Sequence, residues 1–256
     1  MRYIWEKYDD YFGHGKGLAA RVMPLIRPSL QRWDVRSAER VTHYLTSSEY
    51  VRARIRRHYG RDARVIAPPV DCERFAAVDR RPDDYFLVVS ALEPYKRFDV
   101  AVEAFARLGL PLKVAGTGSQ AERLRCLAPS NVEFLGWVPD EHLPELYAGA
   151  RALIFPSDED FGIVPLEAAA AGCPTIAYGH GGSLETVRDG TDGAPPTGVF
   201  FREQTADALV QAVESFLRAE AQGRFQPEAL RAWARRFDRP VFKEKLGAAI
   251  NELAGL

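Results

Sequence analysis

Ala152-Leu153-Ile154-Phe155-Pro156-Ser157-Asp158-Glu159-Asp160-Phe161-Gly162-Ile163-Val164-Pro165-Leu166-Glu167-Ala168-Ala169-Ala170-Ala171 reads as one strand, one loop and one helix. Ala152 to Phe155 is a short, continuous apolar run, the pattern of a strand buried on both faces. Pro156 closes it, and Gly162 permits a backbone path that other residues resist. Ile163 to Ala171 then carries helix formers. Glu159 falls in the loop, and Glu167, by its spacing, falls about two turns inside the helix. The first turn of a helix offers N–H groups with no intrahelical partner, which suit an anion. A carboxylate accepts two donors and so suits a vicinal diol. Two glutamates alone read better as a surface pair on a helix; the strand, the glycine and the helix start around them make a binding loop the better reading of the whole string.

The same unit recurs on both sides of this stretch. Strands are expected at Phe86–Ser90, Leu112–Ala115, Val132–Leu135, Thr175–Tyr178 and Val199–Phe201. Helices are expected at Asp99–Leu108, Gln120–Leu127 and Glu141–Tyr147, then over 205–221 and over 227–254 with a break near Arg239-Pro240. Alternating strands and helices imply an α/β fold, a Rossmann-like parallel sheet covered on both faces. Ligands of such sheets bind beyond the carboxyl ends of the strands, here the loops after Ser90, Ala115, Phe155 and Tyr178. Pro68-Pro69 and Asp79–Asp84 read as a linker. Before it, Val41–Thr46 reads as a strand, Tyr50–Tyr59 as a helix and Arg64–Ala67 as a short strand, too little for a complete α/β domain. The implied division is 1–70, 71–236 and 237–256.

With 46% hydrophobic and 27% charged residues the 256-residue chain is neither disordered nor membrane-spanning in composition. The N-terminus lacks the apolar core of a signal peptide, which points to the cytoplasm. Cys72, Cys126 and Cys173 form no metal pattern and read as buried free thiols. The net charge of -1 hides an asymmetry: residues 1–70 hold 14 Lys/Arg against 7 Asp/Glu, leaving 20 against 28 in the remainder. A basic first quarter suits peripheral contact with an anionic membrane face, and equally a solvated arginine-rich helix. No nucleic-acid motif accompanies it. Gly13-His14-Gly15-Lys16-Gly17 lacks the spacing of a phosphate loop. His43, His58, His142 and His180 show no metal spacing; His180 draws notice because it precedes Gly181-Gly182. The missing G-x-G-x-x-G turn after the first strand argues against a dinucleotide-dependent oxidoreductase.

The string from Glu159 to Glu167 resembles the E-x7-E motif of the retaining GT-B glycosyltransferases of family 4 (group 1). Other stretches are similar to the same family in the same order. Val89-Ser90-Ala91-Leu92-Glu93-Pro94-Tyr95-Lys96-Arg97 resembles its first donor-side loop, and Gly116-Thr117-Gly118 its second glycine turn. Asn131 to Val138 resembles the strand and turn near the nucleobase, and Gly181-Gly182-Ser183-Leu184-Glu185 the loop behind the diphosphate. The resemblance covers about residues 60–250 and lies nearest the mannosyltransferase-like members of bacterial surface-polysaccharide assembly. It implies the C-terminal, donor-binding lobe of a GT-B fold plus a partial N-terminal lobe. It also implies transfer of a hexose such as mannose, with retention, from a GDP- or UDP-linked sugar to a glycan or lipid-linked acceptor, without metal or cofactor.

By that resemblance Lys96 and Glu159 are the catalytic candidates, Lys96 at the diphosphate and Glu159 at the sugar hydroxyls. Ser90, Arg97, Gly116, Phe161, Gly162, Ile163, Val164 and Glu167 are the donor-binding candidates, with Glu167 on the ribose. A lysine after the first strand also meets the physical requirement for offsetting leaving-group charge. Many members carry an arginine where Ala91 stands, which leaves one cation fewer unless Arg97 compensates. Arg2-Tyr3-Ile4-Trp5 is similar to a segment that follows a histidine motif in the family, so an N-terminal truncation is expected. Residues 240–256 resemble the helix that packs back on the first lobe; that face and residues 17–30 would then be open to self-association or to a separate N-terminal lobe. The alternative function is a nucleotide-sugar-binding fragment that is inactive without a complete first lobe.

Overall fold

The computed structural model describes residues 4–8, 12 and 18–255, with the backbone alone for 18–20. Arg2, Tyr3 and the Gly13–Gly17 stretch discussed above lie outside the described residues. The chain divides into two compact units, one of residues up to Thr46 with Val51–Val65, the other of Ser47–Tyr50 and Ile66 onward.

The first unit contains α1 (Leu18–Ala38), β1 (Leu45–Thr46), most of α2 (Glu49–Tyr59) and β2 (Arg64–Val65). The two strands pair in parallel but run only two residues each, shorter than the hydrophobic runs suggest. With only each other as described partners they bury one edge at most. The centre of the unit is the buried Asp34, which accepts hydrogen bonds from Trp5 Nε1 and the Tyr59 hydroxyl, both at 2.8 Å. Trp5 stacks on His58 with ring centroids 4.2 Å apart. α1 carries Pro24 and Pro28 in its interior, one turn apart and so on one face. Its Val22, Leu25, Ile26 and Trp33 side chains are exposed. No described helix is long and apolar enough to cross a membrane.

The second unit runs α3 (Cys72–Ala76), β3 (Phe86–Val89), α4 (Phe98–Leu108), β4 (Leu112–Ala115), α5 (Ala121–Leu127), β5 (Val132–Gly136), α6 (Leu143–Gly149), β6 (Leu153–Phe155), α7 (Ile163–Ala170), β7 (Thr175–Tyr178), α8 (Ser183–Thr186), β8 (Gly198–Phe201), α9 (Ala206–Ala221), α10 (Pro227–Ala234) and α11 (Arg239–Ala254). Its six strands form one sheet in the order β5-β4-β3-β6-β7-β8, and every pair is parallel. Alternate residues of β3 serve opposite faces. Phe86 and Val88 pack with Phe98, Phe105, Leu209 and Phe216 of α4 and α9. Leu87 packs with Phe75, Tyr147, Leu166 and Leu230 of α3, α6, α7 and α10. Burial on both faces is why each strand reads as a continuous apolar run.

Several elements differ from the sequence reading. α3 lies between Pro68-Pro69 and Asp79–Asp84, where no element was expected, its start capped by the Asp71 side chain accepting from the Arg74 N–H. The stretch expected as one broken helix over 227–254 is two helices joined by a 3-10 turn at Arg235–Phe237, with Asp238 capping the second. Of the three thiols, Cys72 and Cys173 are buried but Cys126 is exposed on α5. Burial pushes Cys173 up to about 11 and Cys72 up to about 12, so neither is poised as a nucleophile.

The strand order places the switch point of the sheet between β3 and β6. From there the chain winds outward through β4 and β5 on one side and β7 and β8 on the other. Loops leaving β3 and β6 therefore diverge and open a crevice at their carboxyl ends. The loops after β3 and β4 meet closely: Gly116 has φ +140°, and a Cβ there would lie 1.8 Å from the Ser90 carbonyl oxygen. Gly116→Ala is expected to lower stability by at least about 2 kcal/mol, through contact and backbone strain together. A chemical-denaturation midpoint equal to that of the parent would show that the turn relaxes freely.

Candidate functional site

The crevice is built by the loops after β3, β4, β6 and β7. A 3-10 turn at Pro94–Lys96 follows β3, and Arg97 ends it with φ +57°, the only positive φ at a non-glycine among the described residues. This reversal brings Lys96 back over the sheet, where its ammonium pairs with the Glu159 carboxylate; both side chains are mostly buried. Ser157 Oγ donates to the Lys96 carbonyl at 3.0 Å, tying the β3 and β6 loops together. The two catalytic candidates, 63 positions apart in the chain, thus meet at the switch point.

Arg97 turns away from Lys96. Its guanidinium bonds Asp99 at 3.1 Å and the Gln204 side chain at 3.1 Å, while Gln204 Nε2 donates to the Pro156 carbonyl at 2.7 Å. Its observed contacts brace the loop after β6 against the start of α9.

α7 begins at Ile163, with Gly162 (φ +92°) as its N-cap and no side chain capping the first turn. Among the described residues no side chain accepts from the N–H groups there, an arrangement that suits an anion. Phe161 is buried and its ring lies 5.9 Å from that of Phe237, so only its backbone is offered to a ligand. Ile163 is exposed and Val164 half-buried. Because the helix starts at Ile163, Glu167 sits about one turn in, not two. There its Oε2 accepts from the Tyr147 hydroxyl at 3.0 Å. Burial raises the Glu167 carboxyl above its ordinary range, only partly opposed by the Tyr147 bond and the nearby Arg74 charge.

Ser90 and Gly116 line a cleft of about 290 Å³ at the ends of β3 and β4, together with Ala91, Trp137, Val138 and Asp140. Trp137 is one of the most exposed large apolar side chains of the unit. Arg74 of α3 hydrogen-bonds the Asp140 carbonyl at the cleft wall, and its charge also acts on Glu167.

Several further groups were invisible to spacing arguments. Ser48, fully buried, donates to the Asp160 carbonyl, and Glu185 accepts from the backbone N–H groups of Glu49 at 2.9 Å and Tyr50 at 3.0 Å. The loop bearing Glu159 is also held from β7: Gly182 N donates to the Glu159 carbonyl at 2.8 Å. A Cβ at Gly182 would lie 2.3 Å from the Phe161 Cα. His180 Nδ1 lies 3.1 Å from Asp158 Oδ1, with its ring against Tyr178 and Tyr50. Only the Gly181-Gly182 pair offered a hint of this in the sequence. Among the described residues no group of three or more His, Cys, Asp or Glu is arranged to hold a metal ion.

A parallel sheet with this strand order, a lysine–glutamate pair at its switch point and a helix start beside it define an α/β domain with a crevice at the switch point. Residues 71–235 match the family described as glycosyl transferases group 1, and the chain belongs to that family. It is 34% identical over 177 residues to an exopolysaccharide phosphotransferase of Streptomyces coelicolor, covering 63% of this chain and 18% of that protein. It is 30% identical over 252 residues to a GDP-mannose-dependent alpha-(1-6)-phosphatidylinositol monomannoside mannosyltransferase of Mycolicibacterium smegmatis, covering 86% of this chain and 64% of that one. Among solved structures it is similar to sucrose-phosphate synthase of Thermosynechococcus elongatus, with TM-score 0.77, 22% identity, and coverage of 89% and 62%. That likeness establishes the GT-B type of fold. The chain spans between 18% and 64% of the length of the two relatives named.

Proposed function

We propose that residues 71–236 form the donor domain of a retaining sugar transferase, with 1–70 belonging to an acceptor-side lobe and 237–256 to a helix returning toward it. The substrate in this reading is a nucleotide-diphosphate hexose, and the acceptor a glycan or lipid-linked sugar. The observation that carries the reading is the Lys96–Glu159 pair beside the uncapped start of α7. An ammonium and a row of free N–H groups suit a diphosphate, and a neighbouring carboxylate suits sugar hydroxyls. Trp137 at the rim of the cleft supplies an aromatic face for a base, and Glu167 a carboxylate for the ribose diol. The likeness to the GDP-mannose-dependent enzyme of Mycolicibacterium supports GDP-mannose as the donor to test first.

In such a transfer the bond from the anomeric carbon to the diphosphate oxygen breaks. The acceptor oxygen bonds to the same face of that carbon, and the acceptor proton leaves on the departing diphosphate. Lys96 and the α7 N–H groups carry the charge that develops there. Release of Lys96 from Glu159 would accompany donor binding, freeing each group for its own part of the ligand.

Calorimetric titration of the chain with GDP, UDP, GDP-mannose and UDP-glucose tests the reading. Saturable binding of one nucleoside diphosphate and its sugar conjugate is expected. Failure of all four to bind would remove the donor-domain reading.

A further inference from the structure

Tyr147 is the largest of the fully buried side chains, yet it ends in a hydroxyl. A buried phenol must spend its hydrogen bond somewhere, and nearby backbone carbonyls would serve as well as any side chain. Here it is directed at the Glu167 carboxylate, 20 positions along the chain, across the packing of α6 on α7. The two oxygens of that carboxylate are treated differently. Oε2 is held by Tyr147, whereas Oε1 takes no hydrogen bond from the described residues and is not among their buried unpartnered atoms, so it keeps contact with solvent. One oxygen is anchored and the other presented.

We infer that Tyr147 is a positioning residue for ribose recognition: its hydroxyl orients the Glu167 carboxylate so that the free Oε1 meets the ribose hydroxyls of the donor nucleotide. This rests on the reading of the crevice as a nucleotide-sugar site. A glutamate has three side-chain torsions, and fixing them before the ligand arrives lowers the entropy lost on binding. The phenol is well suited to the task. Burial and the adjacent carboxylate raise its pKa well above the ordinary value, so it remains a donor throughout the working range. It also opposes the effect of burial on Glu167 by hydrogen-bonding the charged form. The other charged groups facing Glu167 are Arg74 from α3, which favours the carboxylate, and Asp140 from the turn before α6, which disfavours it.

The experiment compares GDP with 2′-deoxy-GDP, and UDP with 2′-deoxy-UDP, by calorimetry across pH for the parent chain, Tyr147→Phe, Glu167→Gln and the double variant. Phenylalanine keeps the ring and removes only the hydroxyl. In Tyr147→Phe the preference for the ribonucleotide is expected to fall about 10-fold, the loss of one hydrogen bond to a charged group. The pH below which that preference disappears should move upward, because the bond that favours the ionised carboxylate is gone. The double variant should lose no more than Glu167→Gln, since Tyr147 acts through that carboxylate. If Tyr147→Phe does not fold, 3-fluorotyrosine at position 147 keeps the shape and strengthens the donor, and the pH limit should then move downward. A Tyr147→Phe chain with the parent's ribose preference and pH profile overturns this inference alone, as does an unmoved limit in the fluorotyrosine chain. A parent chain that binds neither GDP nor UDP overturns it together with the donor reading.

Discussion

Lys96→Ala is expected to weaken binding of a nucleoside diphosphate by about 10²-fold while leaving affinity for the bare nucleoside unchanged. The magnitude follows from removing one strong charge-assisted contact from a mostly desolvated site, about 1.5–3 kcal/mol. Release of the diphosphate from a nucleotide sugar should fall further, by about 10²–10³-fold, because the charge that Lys96 faces grows as the glycosidic bond breaks. The substitution also leaves Glu159 without its ammonium partner, and that carboxylate is only 17% exposed. A loss of stability therefore accompanies the loss of binding. Pairing Lys96→Met with Glu159→Gln removes both charges together and should recover most of the stability and none of the binding. Equal losses for diphosphate and nucleoside would show that Lys96 acts on the fold and not on the phosphates.

Glu167→Gln is expected to weaken nucleotide binding by about 10²-fold and at the same time to raise the thermal midpoint by a few degrees. The first effect follows from replacing an acceptor for two hydroxyl donors by an amide, at about 1.5 kcal/mol or more per bond. The second comes from burial. The folded chain holds the Glu167 proton to higher pH than the unfolded chain does. The stability this group contributes is complete at low pH and is lost as pH rises through the folded pKa, so at neutral pH the ionised carboxylate is a burden on the fold. Glutamine keeps an acceptor for the Tyr147 hydroxyl and carries no charge. A midpoint that falls, or that rises equally below pH 4, would show that the carboxylate is not held ionised against its surroundings. Opposed effects on binding and stability mark a group kept for its ligand.

Much of the fold was legible because parallel α/β architecture leaves a local record. Phe86–Val89 and Thr175–Tyr178 are apolar at both parities because helices cover both faces of the sheet, and α4 and α9 show the 3.6-residue spacing of helices with one buried side. The loop from Glu159 to Gly162 was legible for the same reason: a strand end, a glycine and a helix start follow one another without interruption. The short elements were not. α3 has five residues and α8 four, too few for a period to show. The break expected near Arg239-Pro240 was legible, and it falls at Arg235–Phe237, set there by the Asp238 cap and the Val70–Phe237 hydrogen bond.

The sequence by itself determined the layered class of the fold, the order of strands and helices along the chain, and the residue types at each strand end. All of these follow from chemistry between positions a few residues apart. Tertiary structure alone decided that β3 and β6 are neighbours, and with that the meeting of Lys96 with Glu159. It also decided that Arg97 braces Gln204, that Glu185 accepts from the Glu49 and Tyr50 N–H groups, and that Tyr147 reaches Glu167. Those contacts join residues 20 to 136 positions apart. Their partners are chosen by the stacking order of the sheet and the packing of helices upon it, for which no local spacing leaves a trace.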